Sequence, residues 1–138
     1  MKNGKAITEK GVVVVEAALT LIMFMTVLLG VMEAGRFISV YQTLTDAARE
    51  GARLAIAPDT GTSNRPGVSE IQAEVQRFLD SNAVKGTTIN VDPNFGTDSE
   101  FTRVQVSLPY QVLTASWFSD IEVTITGTAL MRNETAVN

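Results

Sequence analysis

An uninterrupted apolar run occupies the N-terminal part of the chain. Residues 17–32 read AALTLIMFMTVLLGVM without a charged side chain, and extending the run back to residue 12 adds one charge, Glu16. A helix of about 21 residues, rising about 1.5 Å per residue, spans the roughly 30 Å hydrocarbon core of a bilayer. Because the run is apolar on every side and the rest of the chain is too short to enclose it, it predicts a membrane-spanning helix.

The residues before this run are basic and set its expected orientation. Lys2, Lys5 and Lys10 stand against Glu9, and positively charged flanks stay on the cytoplasmic side. We therefore expect a single-pass protein with its N-terminus in the cytoplasm and its C-terminal part outside. A cleaved secretory signal is the competing interpretation, but the run exceeds the usual apolar length of about 7–15 residues and no A-x-A cleavage site follows it.

The helical pattern continues beyond the apolar run. No Pro occurs between residue 12 and Pro58, so residues 12–57 are predicted to form one long helix. Its second half places apolar side chains on one face at steps of three and four: Phe37, Tyr41, Leu44, Ala48, Ala52 and Ala55. Asp46 and Arg49, and Glu50 and Arg53, form i,i+3 pairs of opposite charge. A solvated, self-paired face and pairing between subunits both fit this pattern.

The remaining residues predict a small α+β domain. Loop composition at 58–67 precedes a second amphipathic helix at 68–80. Short alternating runs then predict strands at 87–91, 101–108 and 121–131. We expect about three antiparallel strands packed on the apolar face of the long helix. Between the last two strands, Trp117 and Phe118 are predicted to be buried, as large aromatic residues usually are, in preference to forming an exposed tip.

Specific residues near the N-terminus resemble a known family. Gly11 is followed five residues later by Glu16, as in type IV pilin-like proteins, where a prepilin peptidase cuts after the glycine. Further positions extend the match: Leu29-Gly30, Glu33, Gly35-Arg36, Leu44-Thr45 and the block Ala47-Ala48-Arg49-Glu50-Gly51-Ala52-Arg53. Residues 11–55 are similar to the N-terminal part of TadE-like proteins, which are pseudopilins of the tight-adherence pilus. Ala17 departs from the aromatic residue that many members of the wider pilin group have there.

The resemblance implies a domain plan and a set of partners. Residues 1–11 would be a leader peptide, residues 12–57 the transmembrane and amphipathic helix, and residues 58–138 a periplasmic or extracellular α+β domain. Cleavage would leave Val12 as the new N-terminus, and Glu16 of a neighbouring subunit would pair with its amine in the apolar filament core. The implied partners are the membrane, other pilin-like subunits and the major pilin, a prepilin peptidase and an inner-membrane assembly platform.

Composition narrows the function further. The chain of 138 residues has no His and no Cys, which removes the commonest general base, the usual zinc ligands and thiol nucleophiles. No catalytic or phosphate-binding motif is present, so we expect a structural protein that is not an enzyme and needs no metal or cofactor. Its net charge of −4 disfavours a nucleic-acid partner. Residues 92–100 alternate oxygen-bearing side chains around Gly96, but a polar loop explains them better than a calcium site, because the spacing is not that of an EF-hand.

The resemblance to TadE-like proteins therefore implies a minor pilin-like subunit of a tight-adherence pilus that serves surface adhesion. The alternative is a membrane-anchored extracytoplasmic binding domain that does not polymerise.

Overall fold

The computed structural model describes residues 4–57, 66–96, 100–113 and 121–133, with side chains from residue 11 onward. The elements follow in the order α1 (Gly4–Ile56), α2 (Val68–Ser81), β1 (Thr88–Phe95), β2 (Phe101–Gln111) and β3 (Glu122–Arg132). The strands form one antiparallel sheet in the order β1-β2-β3. The predicted α+β class, with a long apolar helix, a short second helix and a three-stranded sheet, is confirmed.

The chain divides into two compact units, Met1–Arg36 and Phe37–Asn138. The first is the N-terminal part of α1. The second contains the rest of α1, α2 and the sheet, and it holds the hydrophobic core. The predicted boundaries of leader, long helix and outer domain stay a prediction.

The core of the C-terminal unit forms between helices and sheet. Helix α1 contributes one large side chain to this core, Leu44, and further along the helix it contributes small side chains between Ala47 and Ala55. The amphipathic α2 buries Ile71, Val75 and Leu79, which are spaced four residues apart on one face. The sheet contributes alternate residues to the same core: Val91, Val104, Val106, Tyr110, Ile125 and Ala129.

The first residues of the predicted apolar face on α1 are not part of this core. Phe37 and Tyr41 are 40% and 48% exposed, whereas Val40 packs against the core in their place. Phe37 instead meets the edge of the Tyr110 ring, with centroids 5.7 Å apart. The buried face of α1 therefore runs from Val40 through Leu44, because this is the side that β3 approaches.

Other element bounds differ from expectation for clear physical reasons. Helix α1 begins at Gly4, well before the predicted start, since no Pro interrupts its first residues. Strand β1 continues to Phe95 through Pro93, which is tolerated because β1 is an edge strand with a register shift between Asp92 and Phe95. Strand β2 continues through Pro109, which lies beyond the last β1–β2 pair, Thr88 with Ser107.

Two predicted features fall at least partly outside the described residues. Trp117 and Phe118 lie wholly outside them. Of the segment 92–100, residues 97–99 lie outside, while Asp92 belongs to β1.

Candidate assembly helix

The apolar segment 12–32 of α1 is uncovered in the N-terminal unit. Its large apolar side chains are between 46% exposed, at Leu28 and Leu29, and 69% exposed, at Met23. The helix is long and apolar enough to cross a membrane. This one apolar helix near the N-terminus indicates single-pass membrane anchoring. A segment this apolar requires lipid or other apolar helices around it.

Gly11, Val12 and Glu16 lie together on the first exposed turns of this segment. The backbone carbonyl of Glu16 accepts a hydrogen bond from the Thr20 hydroxyl at 2.9 Å. Among the residues whose side chains are described, none forms a hydrogen bond or ion pair with the Glu16 carboxylate. A carboxylate on an apolar helix is costly to place in hydrocarbon unless it finds an opposite charge. The geometry thus leaves the Glu16 carboxylate available to a second molecule.

The next predicted positions follow on the same helix. A Cβ added to Gly30 or Gly35 would meet no described atom within 4 Å. These glycines therefore leave smooth patches on α1 that permit close approach of another helix. Glu33 and Arg36 belong to the last turns of the N-terminal unit.

The predicted positions from Ala48 to Arg53 divide between core and surface. Ala48 is fully buried. A Cβ on Gly51 would overlap Cγ2 of Val75 and lie 3.3 Å from Cγ1 of Val104. Gly51 therefore allows α1 to pack closely against both α2 and the sheet.

The charged side chains of this segment form ion pairs within α1. An Arg49 guanidinium nitrogen lies 3.3 Å from an Asp46 carboxylate oxygen, and the corresponding Arg53–Glu50 distance is 2.6 Å. The hydrogen bond from Arg53 lowers the pKa of the Glu50 carboxyl, although partial burial opposes the shift. The Arg53 side chain is 69% exposed and the Glu50 side chain 32% exposed, so solvent reaches this ion pair. Both the solvated-face interpretation and inter-subunit pairing stay open.

A groove of about 680 Å³ runs beside these ion pairs. Its walls come from the charged side of α1, from Phe78 of α2 and from the C-terminal half of β3, including Leu130 and Met131. The structure thus brings Arg49, Glu50 and Arg53 together at this groove, while Gly11, Val12 and Glu16 belong to the other unit.

Sequence reasoning missed one position that shapes the C-terminal unit. A Cβ on Gly127 of β3 would lie 2.5 Å from the backbone nitrogen of Thr45 and 2.6 Å from the carbonyl oxygen of Leu44. Only a residue without a side chain permits this approach of α1 to the sheet. An isolated Gly within the alternating run 121–131 was the available signal.

Comparison with protein families identifies the N-terminal segment. Residues 11–53, about a third of the chain, match the model of the family described as TadE-like protein. This segment of the chain is TadE-like. The family is a structural, pilus-associated one, and the match indicates a protein of the pseudopilin type associated with the tight-adherence pilus. Comparisons with curated proteins and with solved structures gave no significant match.

The TadE-like segment contains every predicted site residue, from Gly11 to Arg53. The family match includes the exposed apolar part of α1 and also the face of small residues on α1 that packs in the C-terminal unit. Strands β1 to β3 lie outside it.

Proposed function

We propose that this TadE-like chain is a minor pilin-like structural subunit of a tight-adherence pilus, serving surface adhesion. Its leader, residues 1–11, is removed by a prepilin peptidase, and residues 12–32 then pack with other pilin-like subunits and the major pilin. An inner-membrane assembly platform extracts the subunit from the bilayer. The observation that carries the proposal is the exposed apolar segment within the family match, with Glu16 on its surface.

The charge distribution supports the proposed topology. The basic leader keeps the N-terminus in the cytoplasm by the positive-inside rule. Removing its three Lys and one Glu from the totals of 11 and 15 leaves 8 basic and 14 acidic residues. The mature chain would therefore be more acidic than its precursor. By the same positive-inside rule, the C-terminal domain lies outside the inner membrane.

Electrostatics gives Glu16 a role in assembly. Cleavage after Gly11 creates a positively charged amine at Val12, which is unfavourable among apolar helices without an opposite charge. Glu16 is one turn along α1 from Val12, and its side chain is exposed. We assign it to pairing with the Val12 amine of that neighbour.

Cleavage is tested by the intact mass of the full chain extracted from membranes with and without a co-expressed prepilin peptidase. We expect a mature chain that begins at Val12 only when the peptidase is present. Gly11→Leu should block this cut, because a side chain at the cleavage position hinders approach to the backbone. Gly4→Leu, at another leader glycine, is the matched control and should be cut normally. A chain that still begins at Met1 or Lys2 with active peptidase would contradict the proposal.

Assembly is tested separately with Glu16 variants in cells that carry the pilus system. Glu16→Ala and Glu16→Gln should insert into the membrane normally but be absent from sheared pili, whereas Glu16→Asp should retain part of the incorporation. Thr20→Ala, one turn further along α1, should be incorporated as the original chain is. Normal incorporation of Glu16→Ala would refute the pairing role. A correctly cut chain that never enters pili would favour the membrane-anchored binding domain instead.

A further inference from the structure

Among the strands that the structure describes, β3 has a neighbour on one side only, because the sheet order is β1-β2-β3. Hydrogen bonds at both ends of the β2–β3 ladder fix which groups face the open side. Val112 N–H donates to the carbonyl of Ile121 at 3.2 Å, and Asn133 N–H donates to the carbonyl of Glu100 at 2.6 Å. Bonded pairs alternate along an antiparallel ladder. The odd-numbered residues of β3 therefore bond to β2, and the even-numbered residues direct N–H and C=O outward.

Pro109 independently agrees with this assignment. It pairs with Thr124 in the register of β2 and β3, and it has no N–H to donate. Odd-numbered residues of β2 direct their backbone N–H and C=O groups toward β1. On that side, pairing with β1 has already ended at Ser107. Thr124 consequently has its backbone groups on the open edge of β3.

Within residues 123–131, the open edge of β3 lacks the charges, prolines and bulges that normally prevent edge pairing. Residues 123–131 contain no charged residue and no Pro, and all 11 pairs with β2 follow one continuous register. The opposite edge, β1, is interrupted by Pro93 and by the register shift between Asp92 and Phe95. A long, regular and uncharged edge is a template for another strand.

The sequence of β3 is complementary to itself in one antiparallel register. With Gly127 opposite Gly127, each even-numbered residue faces another even-numbered residue, so the outward backbone groups of both strands can bond to each other. In this register Glu122 faces Arg132, Thr124 faces Leu130, and Thr126 faces Thr128. Opposite charges thus meet at both ends of the pairing.

We propose that β3 is a self-association edge, through which two copies of this chain pair antiparallel about a two-fold axis at Gly127. The contact is isologous, so each copy contributes the same strand and both charge pairs form at once. The proposal rests on the geometry and charges of β3 and goes beyond assembly through α1. The Arg132–Glu100 contact within one chain is long, at 3.8 Å, with Arg132 largely exposed, so Arg132 is accessible to a second copy.

Register-specific cross-linking of the full chain in non-ionic detergent tests the proposal, since the chain has no Cys of its own. Thr124→Cys and Leu130→Cys chains are made separately and then mixed under mild oxidation. Facing residues of a bonded pair lie about 5.5 Å apart, within disulfide range. We expect a cross-linked dimer in the mixture. Each variant alone should give little cross-linked dimer. In a dimer of identical variants, the cysteine of one copy would lie six residues, about 20 Å, from the cysteine of the other.

A charge-reversal experiment tests the same register without cysteines. Glu122→Arg and Arg132→Glu should each weaken dimerisation about tenfold in sedimentation, because like charges then meet at both ends. Mixing the two variants should restore association, since the introduced arginine of one chain then faces the introduced glutamate of the other, and the two unchanged residues face each other at the opposite end. Loss of the Glu100 contact cannot produce this rescue.

Four results would overturn the proposal. They are equal cross-linking in all combinations, a chain that stays monomeric at tens of micromolar, failure of the mixed charge variants to re-associate, and capture of a different protein's strand by β3 without self-pairing.

Discussion

The close approach of α1 to Gly127 predicts a large effect from a single methyl group. In Gly127→Ala, the new Cβ would lie 2.5 Å from Thr45 N and 2.6 Å from Leu44 O, and closer still to the carbonyl carbon of Leu44. All three atoms belong to the backbone of α1. No rotation of a side chain can therefore relieve the overlap, and α1 or β3 must move.

The size of the required movement sets the magnitude. Restoring ordinary contact of about 3.5 Å needs a separation of roughly 1 Å, and a gap of this size removes a quarter to a half of the dispersion energy of the contacts that open. Leu44, Ala47 and Ala48 of α1 are fully buried beside this point. Overpacking costs about 1–3 kcal/mol where a core can adjust. With backbone on both sides, we expect a loss of at least about 3 kcal/mol in the free energy of unfolding.

Urea unfolding of the full chain in non-ionic detergent, followed by the β-sheet circular dichroism signal, measures this loss. With a slope of about 1–3 kcal/mol per molar urea, the midpoint should fall by at least about 1 M. Thr128→Ala, on the exposed side of β3, controls for the strand. Gly30→Ala controls for the same chemical change where no described atom lies within 4 Å. A midpoint for Gly127→Ala within about 0.3 M of the original chain would show that α1 does not pack against Gly127 in this way.

Other positions give smaller or conditional effects in the same assay. Gly51→Ala should cost less than Gly127→Ala, because its Cβ meets the side chains of Val75 and Val104 and because Ala favours a helix by about 1 kcal/mol; an equal or larger loss would contradict this. Thr102→Val should destabilise by about 1–3 kcal/mol, since it removes the buried hydroxyl that bonds to Asn133 Oδ1, at 2.7 Å; Thr128→Val is the exposed comparison, and equal effects would refute the argument. The lowered pKa of Glu50 means that its contribution to stability is present above the ordinary carboxyl pKa and is lost as pH falls through the lowered value. Arg53→Gln should therefore destabilise at neutral pH and progressively less below about pH 4, and a difference that does not shrink on acidification would contradict the assignment.

Periodicity predicted the elements of this fold because each strand and helix has a distinct apolar pattern. Helix α2 was expected at 68–80 and occurs at Val68–Ser81. The strand ends were less predictable, since Pro93 and Pro109 are usually read as breaks. Each is accommodated by its place in the sheet, Pro93 on an edge strand and Pro109 beyond the end of β1. That placement depends on strand order, which the local pattern does not contain.

The candidate site was predictable where its chemistry is local. Glu16 within an apolar run and Gly11 five residues before it are visible in the sequence alone. The packing roles of Gly51 and Gly127 were not, because both depend on which element lies opposite. Phe37 and Tyr41 show the same limit, since helical spacing predicts a face but not how far along α1 the sheet covers it.

The small residues of α1 connect the TadE-like segment to the rest of the molecule. Ala48, Gly51 and Ala52 lie inside the family match and are fully covered in the C-terminal unit. Their side chains fill little volume, so the larger residues opposite them, Val75 and Val104, must supply the contacts. Close packing against α1 therefore requires only that α2 and the sheet place β-branched or similar apolar side chains opposite its small residues. Such an α1 can pack against strands of different sequence, as long as these place apolar side chains of similar size opposite its small residues.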